Sequence, residues 1–496
     1  MLPPPLLFAV SLGDLWGGIS LPALRQAGRL HVFSVFGEHF AYDAASGTLH
    51  RVDAVAKAIL EQMQSGQSSS LKTVLAALSG DFSLQDIETA FHEVAALVGT
   101  SLWIEDPNLS KPREPNAYLR VPVKSICLNV VHDCNLSCSY CFAAQGRFGG
   151  KPEIMSKAVA RAAVDFLIRS SARRRFLDLD FFGGEPLLAF DVIEDTMRYA
   201  REKGKQYDKE FRFTLTTNCV LLTPEIATYL ARENISLILS IDGRPEVHDR
   251  MRVFRGGQPS HAVVLANAKE AVEIRGGKDY WVRGTFTRHN LDFHNDVRYL
   301  YEAGFRHISL EPAVGEGEWS VNQSHLEEVM RSYASLVEFW AACAERKDPF
   351  FFYHFNLGLR KGMCLERRET GCGAGYEYVA VTPSGEIFAC HELVGKNEYR
   401  LGDVYEGITN DRIRKMFYNA RAPNKPTCMA CWARYLCGGG CHAAALASTG
   451  SLGEPAPLTC ELVKRRMEYA LYVEYISAMR LNGGSPACDL GGLLGG

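Results

Sequence analysis

Cys134-Asn135-Leu136-Ser137-Cys138-Ser139-Tyr140-Cys141 places three thiols in a CxxxCxxC loop directly after the apolar run 126–131, which reads as a buried strand. A four-iron cubane takes four ligands, so a loop of three thiolates holds three irons and leaves the fourth open to an exogenous chelator. A structural zinc site is the rival, but zinc usually asks for two CxxC pairs or a Cys/His set, and only His132 lies near this loop. Buried cysteines acting as small hydrophobes are commoner in general. Three of them within eight residues, flanked by polar side chains, are not explained that way.

The rest of the chain must accommodate that loop. At 496 residues it is too long for one ordinary core and divides into about three domains. Fifteen cysteines form an odd set crowded into two short regions, which favours metal or cluster ligation in a reducing compartment over a disulfide framework. A formal net charge of -3 leaves no basic excess to neutralise phosphates, so no nucleic-acid partner is expected. The N-terminal Met1 to Val10 stretch is apolar, yet it lacks a basic n-region and is too short to span a bilayer. It reads as part of a tail over 1–29, with no membrane partner and a cytoplasmic location.

Residues 30–106 form a small, self-contained, winged-helix-like β-then-α pattern. Strands are expected at 30–36, 39–43 and 48–52, and helices at 53–64 with Asp53 as N-cap, 71–78 and 83–98. A proline-punctuated linker covers 107–121. From 122 to 347 strands alternate with amphipathic helices. The strands are 126–131, 176–182, 211–217, 235–241, 280–286 and 307–311, and the helices are 156–171, 192–203, 224–233, 262–274, 293–303 and 325–346. Six βα units imply an α/β fold, a partial or full (β/α)6 barrel with its site at the strand C-terminal ends. Gly183 and Gly184 of Phe182-Gly183-Gly184-Glu185-Pro186 would allow a ligand to approach the backbone, and Glu185 would accept from an ammonium. Asn218, Ser240 and Asp242 end strands three and four, where polar groups suit a ribose. Arg283 is placed to grip a carboxylate bidentately, a surface ion pair being its bland alternative.

A second cysteine field lies in 348–480, before a tail over 481–496. Cys372 is followed by twelve residues and Gly385, then four residues and Cys390. Cys428 and Cys431 follow as a CxxC, then Cys437 five residues on, Cys441 three residues on, and finally Cys460. Zinc ribbons remain the alternative for Cys428, Cys431, Cys437 and Cys441 taken alone.

The cysteine loop and the Gly-Gly-Glu-Pro string resemble those of radical S-adenosylmethionine (SAM) enzymes, and the second field resembles the seven-cysteine SPASM domain. The 30–106 region is similar to the peptide-recognition domain related to the small chaperone of pyrroloquinoline quinone synthesis, which adds a leader peptide to a sheet edge; a cap that merely packs on the barrel is the alternative. Over residues 30–461 the chain looks very like the six-cysteine-peptide thioether maturases and the maturase of the quinohemoprotein amine dehydrogenase small subunit. The resemblance rests on such stretches as Leu128 to Leu136, Asp180 to Leu187 and Val282 to Asn290.

The resemblance implies three [4Fe-4S] clusters. The SAM-binding one would sit on Cys134, Cys138 and Cys141, with Tyr140 in the same motif. The outer auxiliary one would take Cys428, Cys431, Cys437 and Cys460. The inner one would take Cys372, Cys390 and Cys441, with Cys364 either its fourth ligand or leaving an iron open to a substrate thiolate. It further implies that Gly183, Gly184 and Glu185 hold SAM's amino group, that Arg283 takes its carboxylate, and that Glu311 makes an adenine-side contact. The partners implied are a peptide or small-protein substrate bound through the N-terminal domain and an electron donor such as flavodoxin or ferredoxin. The activity implied is thioether formation from a cysteine sulfur to a carbon of an acceptor such as Asp or Glu. A sulfatase-type maturase making formylglycine and a non-catalytic iron–sulfur sensor or scaffold are the alternatives. Cys127, Cys219 and Cys343 read as buried small hydrophobes, and Cys488 as a thiol without a role.

Overall fold

The computed structural model describes residues 29–65, 70–99, 117–359 and 369–481. The two tails, most of the expected linker, and Cys364 and Cys488 lie outside the described residues.

Strands β1 (Leu30–Val35), β2 (Glu38–Asp43) and β3 (Thr48–Val52) pair antiparallel in chain order. Side chains alternate across a strand, and here the alternation feeds two cores. Leu30 and Ala41 join Ile59, Val74, Ile87 and Phe91, drawn from helices α1 (Ala54–Gln64), α2 (Leu71–Leu78) and α3 (Leu84–Gly99). Phe33, Phe40, Tyr42 and Leu49 pack the other way, on Trp432, Met467 and Leu471 of the C-terminal region. Asp53 caps α1 as expected, accepting from Ala56 N at 2.7 Å. Ser70 and Thr73 form a capping box at α2.

Next in the chain come β4 (Ser125–Val131), β5 (Leu136–Cys138), β6 (Phe176–Gly183), β7 (Glu210–Thr217) and β8 (Ser236–Ser240). They are followed by β9 (Arg252–Phe254), β10 (Tyr280–Phe286), β11 (His307–Pro312) and β12 (Phe351–Phe352). The last four are β13 (Tyr378–Val381), β14 (Glu386–Phe388), β15 (Arg400–Asp403) and β16 (Gly407–Ile408). The large sheet has the order β12-β11-β10-β8-β7-β6-β4-β13-β14-β15-β16, parallel from β12 to β13 and antiparallel beyond. Along β6 the alternation is complete: Leu177, Leu179 and Phe181 join the core under the helices, while Asp178, Asp180 and Phe182 take the opposite, inner face.

Two features depart from expectation. The sheet is not divided at residue 347. Strand β13 pairs directly with β4, Tyr378 opposite Ser125 through Val381 opposite Leu128, so the second cysteine field hangs from an extension of the first sheet. The small β5 and β9 pair antiparallel with each other, Cys138 opposite Arg252, a pairing absent from the sequence reading.

Candidate active site

The cysteine loop is seated by backbone before any side chain acts. Beyond β4, Gly184 N donates to Val131 O and Glu185 N to Asp133 O, each at 2.9 Å. A Cβ on Gly183, at φ +129°, would lie 2.2 Å from Val131 O, and one on Gly184 would lie 1.9 Å from Asp133 O. These glycines admit the loop's own backbone. On the other side, Ser139 N donates to Met251 O at 2.9 Å, and β5 lies against β9.

Glu185 is fully buried. Its carboxylate accepts from Asn218 N at 2.7 Å, Thr217 Oγ1 at 2.8 Å and Leu187 N at 3.1 Å. Burial pushes its pKa up to about 7 despite those donors. Asn218 Nδ2 donates to Asn135 Oδ1 at 2.7 Å and lies 3.6 Å from Cys134 Sγ. Leu136 N approaches the same sulfur at 3.5 Å. The end of β7 thus contacts the cysteine loop.

Asp242, also fully buried, accepts from Tyr140 OH at 2.6 Å and from Thr285 N at 3.0 Å. Arg252 donates to Tyr140 OH at 2.9 Å, and its buried Nε has no hydrogen-bond partner among the described residues. Burial raises the Cys138 pKa, and the positive charge of Arg252 opposes that rise. Asn135 and Arg252, the third member beside the expected Tyr140 and Asp242, were missed by sequence reasoning; Arg252 lies ten positions beyond Asp242, on the three-residue β9. Ser240 ends β8 opposite Arg283 on β10. Arg283, on β10, is exposed and makes no ion pair among the described residues. Glu311 reaches His354 Nε2 at 3.0 Å and Arg466 at 3.5 Å. Burial pushes its pKa up, but the His354 hydrogen bond and the guanidinium groups of Arg466 and Arg283 outweigh that, and it falls to about 2.

Burial raises the pKa values of several of the cysteine thiols, and neighbouring thiols add to the rise. Cys134 responds to Cys138 and Cys141. Cys428 responds to Cys437, Cys460 and Cys431. Cys390 responds to Cys372 and Cys441. Burial pushes Cys134 and Cys428 up to about 12, so iron binding would release their protons. Lys425 bears on whether these thiols fit a cluster. It has no exposed surface, donates to Gly439 O at 3.0 Å, and lies among Cys428, Cys437, Cys460 and Cys441. A buried ammonium needs anions, and thiolates supply them. The residues present therefore fit iron–sulfur clusters. Buried Cys127, Cys219 and Cys343 stand apart from these groups.

Residues 128–283 match the family model described as the Radical SAM superfamily. An uncharacterized protein of Methanocaldococcus jannaschii is 28% identical over 191 residues, 38% of this chain and 62% of that protein, so the match spans less than two thirds of that relative. The serine-type anaerobic sulfatase-maturating enzyme of Bacteroides thetaiotaomicron is 24% identical over 392 residues, 71% of this chain and 91% of the enzyme. The solved structure of anSMEcpe with bound AdoMet and Kp18Cys peptide superposes with a TM-score of 0.59 at 20% identity, covering 72% of this chain and 99% of that one, a likeness of fold.

Proposed function

We propose that this chain is a radical SAM peptide maturase that joins a cysteine sulfur of a ribosomally made peptide or small subunit to a carbon of another residue in the same molecule. The observation that carries this reading is the presence of two further thiol groups, one of which, Cys372, Cys390 and Cys441, adjoins the loop of Cys134, Cys138 and Cys141 through ring contacts between Phe142 and His391. The free outer edge of β3, which pairs with no strand among the described residues, supports capture of a peptide by strand addition. A solved relative holds both AdoMet and a peptide.

Cys134, Cys138 and Cys141 would hold the SAM-binding cluster. Cys428, Cys431, Cys437 and Cys460 would hold the outer auxiliary cluster, and Cys372, Cys390 and Cys441 the inner one. When bound, SAM and the clusters supply a carbon-centred radical able to take a hydrogen atom, and an acceptor for the electron released as sulfur bonds to carbon. The chain's own residues orient and enclose. Gly183, Gly184 and Glu185 fix the loop, with Glu185 retaining acceptor capacity for SAM's ammonium. Asn218, Ser240 and Asp242 line the strand ends. Arg283 offers an unpaired guanidinium to SAM's carboxylate, and Arg252, with its unpartnered Nε beside Cys138, is a second donor for it. Flavodoxin or ferredoxin would deliver the reducing electron.

The test is anaerobic reconstitution with iron counting, then mass spectrometry of a cysteine-containing peptide encoded beside the gene and co-expressed. The proposal expects about twelve irons per chain. It also expects a loss of about two mass units per bond, with cysteines newly resistant to alkylation. A mass change of formylglycine type would instead support the sulfatase-type reading that the Bacteroides relative favours.

A further inference from the structure

Three rings meet where the two cysteine-bearing loops meet. Phe142 follows Cys141, Phe182 precedes Gly183, and His391 follows Cys390. Phe142 and Phe182 stack with centroids 6.3 Å apart at 16°. His391 meets Phe142 edge-on at 5.6 Å and is tilted on Phe182 at 5.3 Å. Tyr378 OH holds His391 Nδ1 at 2.6 Å, which leaves Nε2 as the nitrogen not engaged by Tyr378. The platform rests on a fixed base, since Phe182 and Tyr378 pack on buried Cys127, Ala380, Phe388 and Val394. The loops are also locked backbone to backbone. Gly395, at φ +85°, comes so near Phe148 O that a Cβ there would lie 2.5 Å away.

Yet Phe142 is 53% exposed. A phenylalanine held half bare on a rigid, ring-built floor keeps apolar surface in water that the fold had the means to cover. The floor lies in contact with both cysteine-bearing loops, where the reacting segment of a peptide must lie.

Building on the maturase reading, we propose that Phe142, Phe182 and His391 form a substrate-positioning site that takes an apolar side chain next to the modified residue, with His391 Nε2 hydrogen-bonding the peptide backbone. The rings select the segment by its apolar neighbour and hold its reacting carbon in register between the two loops, since a small displacement there costs most of the rate. Tyr378 is a positioning residue that acts through His391.

The test uses reconstituted full-length protein and synthetic sixteen-residue peptides, each with one cysteine and one aspartate, differing only in Phe, Leu or Ser beside the aspartate. Binding is read by fluorescence polarisation of labelled peptide without SAM. Coupling is read as modified peptide formed per 5′-deoxyadenosine. Phe- and Leu-bearing peptides are expected to bind about tenfold more tightly than the Ser peptide, the value for one buried apolar group. Phe142→Ala is expected to erase that preference and to lower product per 5′-deoxyadenosine. Tyr378→Phe is expected to keep the apolar preference while raising KM. Tyr405→Ala, an exposed ring elsewhere, is the control and should match the wild type. Phe142→Ala protein that keeps both the preference and the coupling would overturn the inference alone. Wild-type protein that binds the Phe, Leu and Ser peptides alike would overturn this inference alone, whereas failure to modify the co-expressed neighbouring peptide would overturn the maturase reading and this inference with it.

Discussion

Glu185 joins two strand ends through one carboxylate, taking a donor from its own loop and two from the end of β7. Because burial lifts its pKa from 4.5 to about 7, the folded chain keeps a proton that the unfolded chain has already released between those values. This contribution to stability is present below pH 4.5 and is lost as pH rises through 7, by up to about 3 kcal/mol at 1.36 kcal/mol per unit. Glu185→Gln removes the titration and forces an amide NH2 toward one of the donors. Thermal unfolding of the variant, measured from pH 5 to 7.5, should show a lower midpoint throughout and a flatter pH dependence. An unchanged slope would mean that the carboxylate does not titrate in this window. The cysteines and Glu185 were legible in the sequence because their spacing is local. Arg252, Asn135 and His391 were not, since each gains its meaning from a partner that only the fold brings near, such as Tyr140 at 2.9 Å from Arg252.

At the scale of elements, the β5–β9 pair is the smallest piece of sheet and carries the cysteine loop. It aligns Leu136, Ser137 and Cys138 with Phe254, Val253 and Arg252. Val253→Pro would remove a backbone donor and restrict Arg252, the residue before it. The expected result is a loop destabilised by about 1–3 kcal/mol, one unsatisfied backbone group or more. Iron retained after desalting should fall while far-ultraviolet circular dichroism stays that of the wild type. Full iron retention would show that the pair is dispensable. Strands such as β10 and helices such as α2 coincide with their sequence-based expectations, because each carries enough period-2 or period-3.6 alternation to be read alone. β5, β9 and β12 have three residues or fewer. β13 to β16 are short runs in glycine- and cysteine-rich text whose pairing is set by neighbours across the sheet.

Across the whole molecule, the N-terminal sheet is tied to the second cysteine field. His31 stacks on Trp432, centroids 3.9 Å apart at 3°, and bonds Glu468 at 2.8 Å. Phe40 lies edge-on to Tyr472 and Tyr475. These contacts run to the neighbour of Cys431 and to the C-terminal helix Pro457–Leu481. The sheet that would receive a peptide is thereby held at a set distance from the loops that would modify it, which raises the effective concentration of the tethered segment. Among the described residues no helix is long and apolar enough to cross a membrane. The proposed chemistry lies at Cys134, Cys138 and Cys141, so the most direct measurement is SAM cleavage. Reconstituted, dithionite-reduced protein should convert SAM to 5′-deoxyadenosine and methionine, and Cys134→Ala should lose that conversion while keeping the iron of the Cys372 and Cys428 groups. Protein that carries its full iron yet leaves SAM intact would contradict the account.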